Sequence, residues 1–251
     1  MKITYLGQCG VLLEGARRIL IDPYLSFSVD KGAKNRAGIW QRAYPPPFTP
    51  SQLNKIDYIL LTHSHTDHTD PESVPELFMA NPSVRFVGPP PVRDKLLGLC
   101  IPEAHILCPT ADSEFDGITA IPAAHEELHP LPGNYYAEYG YIVRDGNVAV
   151  YHSGDCCPYE GLHERIQNMD AALLPVNGRD AYRLRDNCIG NFHPEEAVRL
   201  CHENGIPAMM PLHHDLYPGN GMSIERIYTV RDIFAPSLKL LTPAPGKTVT
   251  I

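Results

Sequence analysis

Histidine and aspartate are concentrated in the segment HSHTDH, which spans residues 63–68. Side chains alternate along an extended backbone, so His63 and His65 would project to the same side of the chain. Together with Asp67 and His68 they place three imidazoles and a carboxylate close together, a set that suits zinc, manganese or iron. The alternative is a polar loop that happens to be rich in histidine. Metal binding explains the spacing better, because clustered histidines otherwise bring no structural gain.

Two metal ions need more ligands than this segment contains, and further candidates follow other strand-like runs. These candidates are His125, Asp155, His213 and His214. His213 and His214 are adjacent, and either would be the ligand with the other as a supporting residue. Asp70 and Asp215 would orient ligand imidazoles, since a metal-bound histidine usually donates its other N–H to an oxygen. For Asp70 the alternative is a helix cap. Loops at one edge of a sheet are where α/β enzymes assemble their sites.

Apolar runs bounded by turn residues predict the strands that would position these side chains. They fall at residues 3–6, 11–13, 18–21, 58–61, 84–87, 118–122, 140–143, 148–151, 172–176, 208–212, 239–241 and 248–251. Asp22-Pro23 closes the third strand. Helices are predicted from Asp70-Pro71 onward and at 91–99, 160–168 and 194–203. Runs of strands with helices inserted between them predict an α/β (α+β) fold.

No repeat or clear linker divides the chain of 251 residues. We therefore expect a single domain over 1–251, with an irregular insertion at about 26–55 that is rich in Pro and Gly. Trp40, the single tryptophan, lies in this insertion and would cover the site as a lid.

The bulk composition excludes several classes of function. The formal net charge is −8, whereas nucleic-acid binding needs a basic face. The N-terminal residues lack the apolar core of a secretory signal, and no apolar run is long enough to span a bilayer. The seven cysteines contain no CxxC pair. Reduced thiols in a cytoplasmic protein, with neither nucleic acid nor membrane as partner, are expected.

Two groups of residues are candidates for binding a substrate. Arg179 and Arg183 lie close together in an acidic chain and would clamp a phosphate or carboxylate. The alternative is that they are solvated loop charges paired with neighbouring acidic side chains. Asn134 and Tyr135 come shortly after His125 and would line the pocket, although the tyrosine would also suit the core.

The segment HSHTDH resembles the HxHxDH signature of the metallo-β-lactamase superfamily, and the later His, Asp and His occur in the order found there. The resemblance covers nearly the whole chain, including the opening hairpin and the segment LIDPYLS (20–26). It implies a four-layer αββα sandwich that holds two divalent metal ions, zinc or manganese, with iron as an alternative. It also implies a division of the ligands: His63, His65 and His125 for one ion, Asp67, His68 and His213 for the second, and Asp155 as a bridge.

Within this superfamily the chain resembles the L-ascorbate-6-phosphate lactonase group, through YHSGD (151–155) and PLHHD (211–215). This resemblance implies a hydrolase in which a metal-bridging hydroxide attacks a small, anionic substrate such as a sugar-phosphate lactone. Asp67 would both bind metal and orient the nucleophile. Because that group forms oligomers, a homo-oligomer is expected. Two alternatives stay open: a phosphodiesterase or nuclease of the same superfamily, and a non-catalytic metal-binding scaffold.

Overall fold

Short strands make up most of the regular structure in the computed structural model, which describes residues 1–32, 40–185 and 188–251. In chain order the strands are β1 (Lys2–Gly7), β2 (Gly10–Glu14), β3 (Arg18–Ile21), β4 (Tyr58–Leu60), β5 (Arg85–Val87), β6 (Ile106–Leu107), β7 (Glu114–Phe115), β8 (Ile118–Pro122), β9 (Pro130–Leu131), β10 (Tyr135–Tyr136), β11 (Tyr139–Asp145), β12 (Val148–His152), β13 (Ala171–Pro175), β14 (Ala208–Leu212), β15 (Lys239–Leu240) and β16 (Thr248–Thr250). Each strand predicted from the sequence is present within one or two residues of its expected bounds.

These strands form two mixed sheets of seven strands each. The first has the order β16-β1-β2-β3-β4-β5-β6, antiparallel as far as β3 and parallel beyond it. The second has the order β15-β14-β13-β12-β11-β8-β7, parallel as far as β12 and antiparallel beyond it. Strands β9 and β10 form a separate hairpin. The parallel part of each sheet brings several strand ends to one edge, and the site is built there.

Helices cover the outer face of each sheet. The helices in the described part of the chain are α1 (Ser28–Gly32), α2 (Ser73–Ala80), α3 (Pro90–Gly98), α4 (Leu162–Arg165), α5 (Ala181–Arg185), α6 (Pro194–Glu203) and α7 (Ile224–Phe234), of which all but α1 and α5 pack on a sheet. Apolar residues of α2 and α3 pack against the first sheet, and those of α4, α6 and α7 pack against the second. None of the described helices is long and apolar enough to cross a bilayer.

A third apolar layer lies between the two sheets and joins them. Strand β13 shows how one sequence serves both layers, because successive side chains point to opposite faces. Ala171 and Leu173 face the other sheet, whereas Ala172 and Leu174 face the helices. A strand buried on both faces reads as a continuous apolar run, which is why its position was clear from the sequence. The predicted four-layer αββα sandwich is confirmed.

Two of the predicted helices have clearly different bounds in the structure. The helix expected from Asp70 begins at Ser73, because the Asp70 carboxylate accepts backbone N–H groups of the preceding turn. The helix expected at 160–168 covers only Leu162–Arg165. Helix α7 was not predicted, although Ser223 caps it by accepting the N–H of Arg226. Its buried residues, Ile227 and Val230, give too sparse an apolar stripe to stand out.

The insertion expected at 26–55 contains α1 and a single 3-10 turn at Pro50–Gln52 in its described part, and residues 33–39 lie outside that part. Arg42 connects the insertion to the residues that precede it. Its guanidinium donates to the Ser26 carbonyl over 2.8 Å and lies 4.6 Å from the centre of the Tyr24 ring. Trp40 packs edge-on against Tyr217, with 5.7 Å between ring centres. This part of the insertion is therefore packed against the body of the protein.

The position of Leu173 in the apolar layer between the two sheets predicts a loss of stability when its side chain is shortened. Leu173→Ala should lower the free energy of unfolding by about 2–5 kcal/mol, because it leaves a cavity where no solvent enters. Chemical denaturation followed by circular dichroism measures this change. The control is Met79→Ala in α2, where the side chain is 79% exposed and the change should stay within about 0.5 kcal/mol. Equal effects in the two variants would contradict the assignment of Leu173 to this layer.

Candidate metal centre

Four loops bring the candidate ligands to one edge of the sandwich. His63 follows β4 of the first sheet, and His125, Asp155 and His213 follow β8, β12 and β14 of the second. His63, His125 and His213 are at most 4% exposed and Asp155 is 5% exposed. The segment 63–68 turns sharply, since the N–H groups of His68 and of the next residue both bond to the carbonyl of His65. The two sheets therefore meet around a buried set of imidazoles and carboxylates.

Three histidines form the first cluster. The ligand nitrogens of His63, His65 and His125 all lie within 4.8 Å of one another. His63 Nε2 is 3.0 Å from His65 Nδ1, and the His125 ring centre is 5.1 Å from each of the other two ring centres. Two imidazole nitrogens at this distance need either a proton or a cation between them. This trio is therefore suited to three-histidine coordination.

Two carboxylates and two histidines form the second cluster. Asp67 Oδ2 lies 3.6 Å from both His68 Nε2 and His213 Nε2. Asp155 Oδ2 lies 3.5 Å from His68 Nε2 and 3.6 Å from His213 Nε2. Ligand atoms at about 2.1 Å from a tetrahedral ion are about 3.4 Å apart. Each carboxylate oxygen is therefore separated from both imidazole nitrogens by about the distance expected between two ligands of one ion.

Asp155 connects the two clusters. The same Oδ2 atom that faces His68 and His213 lies 4.0 Å from Nε2 of His125 in the first cluster. The Nε2 atom of His68 is buried and has no hydrogen-bond partner among the described residues. A buried ring nitrogen aimed at two carboxylates is a fitting metal ligand, so the residues present suit a pair of ions bridged by Asp155.

The pKa values of these groups show how their charges are balanced. Burial, together with the neighbouring imidazoles, lowers the pKa of His63 well below its usual range and lowers the pKa of His125 to about 4. Burial alone would raise the pKa of Asp67, but His68 and His213 outweigh it and the net shift is downward. The pKa of Asp155 is lowered for the same reason. His63 and His125 are thus neutral imidazoles, the form that binds metal. In the second cluster the same carboxylates raise the pKa values of His68 and His213 in turn, so binding of an ion there would release protons.

Asp22 orients His68, a role that the sequence did not reveal. Its Oδ2 accepts a hydrogen bond from His68 Nδ1 over 2.7 Å and from the Thr62 hydroxyl over 2.6 Å, and its Oδ1 accepts the Thr62 N–H. Asp22 is fully buried and has a left-handed φ of 46°. Such a carboxylate fixes the tautomer of a ligand histidine. The signal in the sequence was an acidic residue ending a buried strand, which we read only as a turn.

The two aspartates expected to play that role have other partners. Asp70 accepts hydrogen bonds from the hydroxyls of three serines, Ser26, Ser28 and Ser73. It therefore ties the insertion to the start of α2, in keeping with the alternative of a helix cap. Asp215 accepts hydrogen bonds from the hydroxyls of Tyr5 and Tyr44. No contact of either carboxylate with a ligand imidazole occurs in the described ranges.

Gln8, in the turn between β1 and β2, is a second residue that the sequence did not reveal. Its Nε2 donates to Asp67 Oδ2 over 2.8 Å and lies 2.8 Å from His213 Nε2. Its carbonyl accepts the N–H of His213 over 2.9 Å. Gln8 and His213 have left-handed φ angles of 56° and 57°, and such strained residues often lie at functional sites. The first hairpin thus holds two ligands of the second cluster.

The candidate substrate arginines are engaged with carboxylates. Both terminal nitrogens of Arg179 donate to Glu196, over 2.6 and 2.7 Å. Arg183 donates to Asp180 over 2.9 Å and to the carbonyl of Gly221 over 2.8 Å. Neither arginine lines the cavity at the metal centre. Their contacts match the alternative interpretation of loop charges paired with acidic neighbours.

The remaining substrate candidates also lie away from this cavity. Asn134 and Tyr135 belong to the hairpin of β9 and β10, where the Asn134 amide donates to the carbonyl of Ala111 over 2.9 Å. His214 lines a different cavity of about 370 Å³ beside Tyr5. His213, rather than His214, therefore points at Asp67 and Asp155. The two neighbouring histidines thus line different cavities.

A small cavity opens above the metal centre. Its volume is about 130 Å³, and its floor contains ligand residues of both clusters. Its remaining walls are formed by Val29, Trp40, Cys188, Ile189 and Asn220. Trp40 thus lies where a cover was expected. The cavity has room for a small molecule in direct contact with both clusters.

An αββα sandwich with two His/Asp clusters at one edge defines a protein of the metallo-β-lactamase fold. A sequence profile described as "Beta-lactamase superfamily domain" matches residues 17–214. The chain belongs to this superfamily.

Comparison with individual proteins agrees with this assignment. The chain is 25% identical over 257 residues to a UPF0173 metal-dependent hydrolase of Pyrococcus furiosus, covering 100% of both sequences. It superposes on an isothiocyanate hydrolase from Delia radicum gut bacteria with a TM-score of 0.76 and 17% identity, covering 100% of this chain and 99% of that one. Igni18, a metallo hydrolase from Ignicoccus hospitalis, gives a TM-score of 0.69 and 20% identity, covering 99% and 97%. The resemblance to the ascorbate-6-phosphate lactonase group stays a prediction.

The contact between Asp22 and His68 predicts a selective loss of metal affinity. Asp22→Asn should weaken binding of one of two zinc ions by about 10-fold to 100-fold, because the imidazole loses its charged acceptor. Calorimetric titration of the metal-stripped protein with zinc measures both affinities. Asp94→Asn, at a side chain 75% exposed, is the control and should leave both unchanged. Two ions bound by Asp22→Asn as tightly as by the unchanged protein would refute this role.

The contacts of Gln8 predict a similar loss of affinity for an ion at the second cluster. Gln8→Ala should weaken binding of one of the two ions by about tenfold, since Asp67 loses the amide N–H that orients it. The same titration measures it, with the exposed Gln167→Ala as the matched control. Tighter binding in Gln8→Ala would show that the amide competes with the ion and does not position its ligands.

Proposed function

We propose that this protein is a binuclear metal-dependent hydrolase. The observation that carries the proposal is the arrangement of Asp67, His68, Asp155 and His213, in which each carboxylate oxygen lies 3.5–3.6 Å from both imidazole nitrogens, beside the three-histidine cluster. A related protein described as a metal-dependent hydrolase supports it. Asp155, which faces both clusters, would bridge the two ions.

Imidazole and carboxylate ligands suit zinc, manganese and iron, and we propose zinc or manganese as the resident ions. When bound, a pair of such ions supplies a water molecule with a pKa near neutrality. The carboxylates of Asp67 and Asp155 contribute two negative charges, which would offset part of the positive charge of the two ions. Asp22 fixes the tautomer of His68, so Nε2 is the nitrogen that faces the second ion.

The cavity residues define what the protein itself would do for hydrolysis. The Asp67 side chain is 21% exposed and lines the cavity, so it is placed to accept a hydrogen bond from a water molecule and orient it. Val29, Trp40 and Ile189 form apolar walls that limit the number of water molecules near the reacting groups. Exclusion of water strengthens the electrostatic interactions inside a site.

The proposed substrates are small carbonyl compounds, of which a sugar-phosphate lactone is one. The cavity volume of about 130 Å³ favours a small reacting group. Because Arg179 and Arg183 are engaged with Glu196 and Asp180, an anionic part of the substrate would be bound by other residues than these two. The similarity to an isothiocyanate hydrolase supports attack of water on the electrophilic carbon of a small molecule.

Elemental analysis combined with hydrolysis assays tests the proposed function. The purified protein should contain about two equivalents of transition metal and should hydrolyse members of a panel of lactones, esters and phosphodiesters. His65→Ala and Asp155→Ala should each lower both the metal content and the rate, whereas His163→Ala, at a half-exposed histidine, should change neither. Absence of metal, with no uptake on reconstitution with zinc, manganese or iron, would rule the proposal out.

A further inference from the structure

Among the described residues that line the metal-centre cavity, Asn220 carries the one neutral amide side chain. It lies in the loop that also carries His213, in a 3-10 turn over Pro218–Asn220, and its backbone N–H bonds to the carbonyl of Tyr217 over 2.9 Å. The side chain is held by the fold, since Asn220 is only 6% exposed. A buried amide facing a cavity floored by ligand residues is placed to touch a bound substrate.

Three asparagines form a relay that ends at this amide. Asn191 Nδ2 donates to Asn177 Oδ1 over 3.0 Å, and Asn177 Nδ2 donates to Asn220 Oδ1 over 3.0 Å. Asn177 and Asn191 are fully buried. Because Oδ1 of Asn220 is occupied by this contact, its Nδ2 is the atom left to donate a hydrogen bond into the cavity.

The direction of the relay has a physical reason. In the structure, the relay ends at Asn191 Oδ1, a buried acceptor that has no hydrogen-bond partner among the described residues. Rotating all three amides by half a turn would instead bury Asn191 Nδ2, with its two N–H groups, without an acceptor. A buried carbonyl oxygen without a partner is tolerated somewhat better than buried N–H groups. The favoured direction is therefore the one that presents N–H groups of Asn220 to the cavity.

We propose that Asn220 Nδ2 is the oxyanion donor of this site and that Asn177 is its positioning residue, an inference that rests on the proposed hydrolase function. In hydrolysis of an ester or lactone, water adds to the carbonyl carbon and the electron pair of the C=O bond moves onto its oxygen. That oxygen becomes negative and accepts the N–H of Asn220. When the C–O bond to the leaving alcohol breaks, the pair returns and the alcohol takes up the proton lost by the water.

A fixed amide suits this task because it costs no reorganisation when charge develops. The relay holds Asn220 at its Oδ1 through a neutral partner, Asn177. This differs from Arg179 and Arg183, whose donors are already bonded to Glu196 and Asp180. The substrate class favoured by such a donor is one with a neutral carbonyl oxygen that gains charge in the reaction.

Kinetics of Asn220→Ala with para-nitrophenyl acetate and γ-butyrolactone test the proposal. The expected result is a fall in kcat of about 100-fold to 1,000-fold with little change in KM, because the lost contact acts on the developing charge. Asn220→Asp, which keeps the shape but removes the donor, should lose as much. Asn177→Ala should lose about tenfold. Metal content should stay at that of the unchanged protein in all three, and Asn54→Ala, at an exposed position, is the control.

A binding measurement keeps this inference separate from the proposed function. Methylphosphonate carries tetrahedral anionic oxygens, and the metal-loaded protein should bind it about tenfold more tightly than metal-loaded Asn220→Ala in calorimetric titration. Equal affinity in the two proteins, no binding by the unchanged protein, or an unchanged kcat in Asn220→Ala would each overturn the role of Asn220 while leaving a two-metal protein intact. A protein that takes up no metal would overturn the proposed function itself.

Discussion

Asp155, which is buried, and Asp67, whose side chain is 21% exposed, place two carboxylates where the two sheets meet, and the rest of the structure must supply partners for them. An ionised carboxylate without a partner in a protein interior costs several kcal/mol, so each must face cationic or donor groups. The structure supplies them from both sheets: His68 from the first, and His125 and His213 from the second. The site therefore forms only when the two sheets pack together, since neither sheet alone supplies all the partners of these carboxylates.

Three residues in the loops around the metal centre have a strained backbone conformation. Asp22, Gln8 and His213 have left-handed φ angles of 46°, 56° and 57°, which cost energy for residues other than glycine. Each is fixed by contacts that a relaxed backbone would lose, such as the bond of 2.9 Å between the Gln8 carbonyl and the His213 N–H. Strain that is compensated by contacts among the ligands themselves points to selection of their geometry by function and not by stability.

The parts of this protein that could be predicted from sequence are those written in local patterns. Alternating or continuous apolar runs such as β13 revealed the strands, and the segment 63–68 revealed the metal chemistry. The roles of Asp22 and Gln8 were not predicted, because they depend on residues 46 and 205 positions away. No local sequence pattern marks such a contact. Arg179 was assigned to the substrate because sequence shows a cation but not the carboxylate that neutralises it.

The second cluster is asymmetric, and this bears on how an ion would enter and leave it. Nδ1 of His68 is bonded to a buried carboxylate, which increases the basicity of the nitrogen facing the ion. Nδ1 of His213 is buried without a partner among the described residues, and this imidazole is held instead on its ion-facing side, by the Gln8 amide. An arriving ion would take the place of the Gln8 amide at His213 Nε2, whereas the bonds from Gln8 to Asp67 and from His68 to Asp22 would stay in place. His68 with Asp22 is therefore the fixed half of the cluster, and His213 is the ligand whose side chain changes its partner when an ion binds.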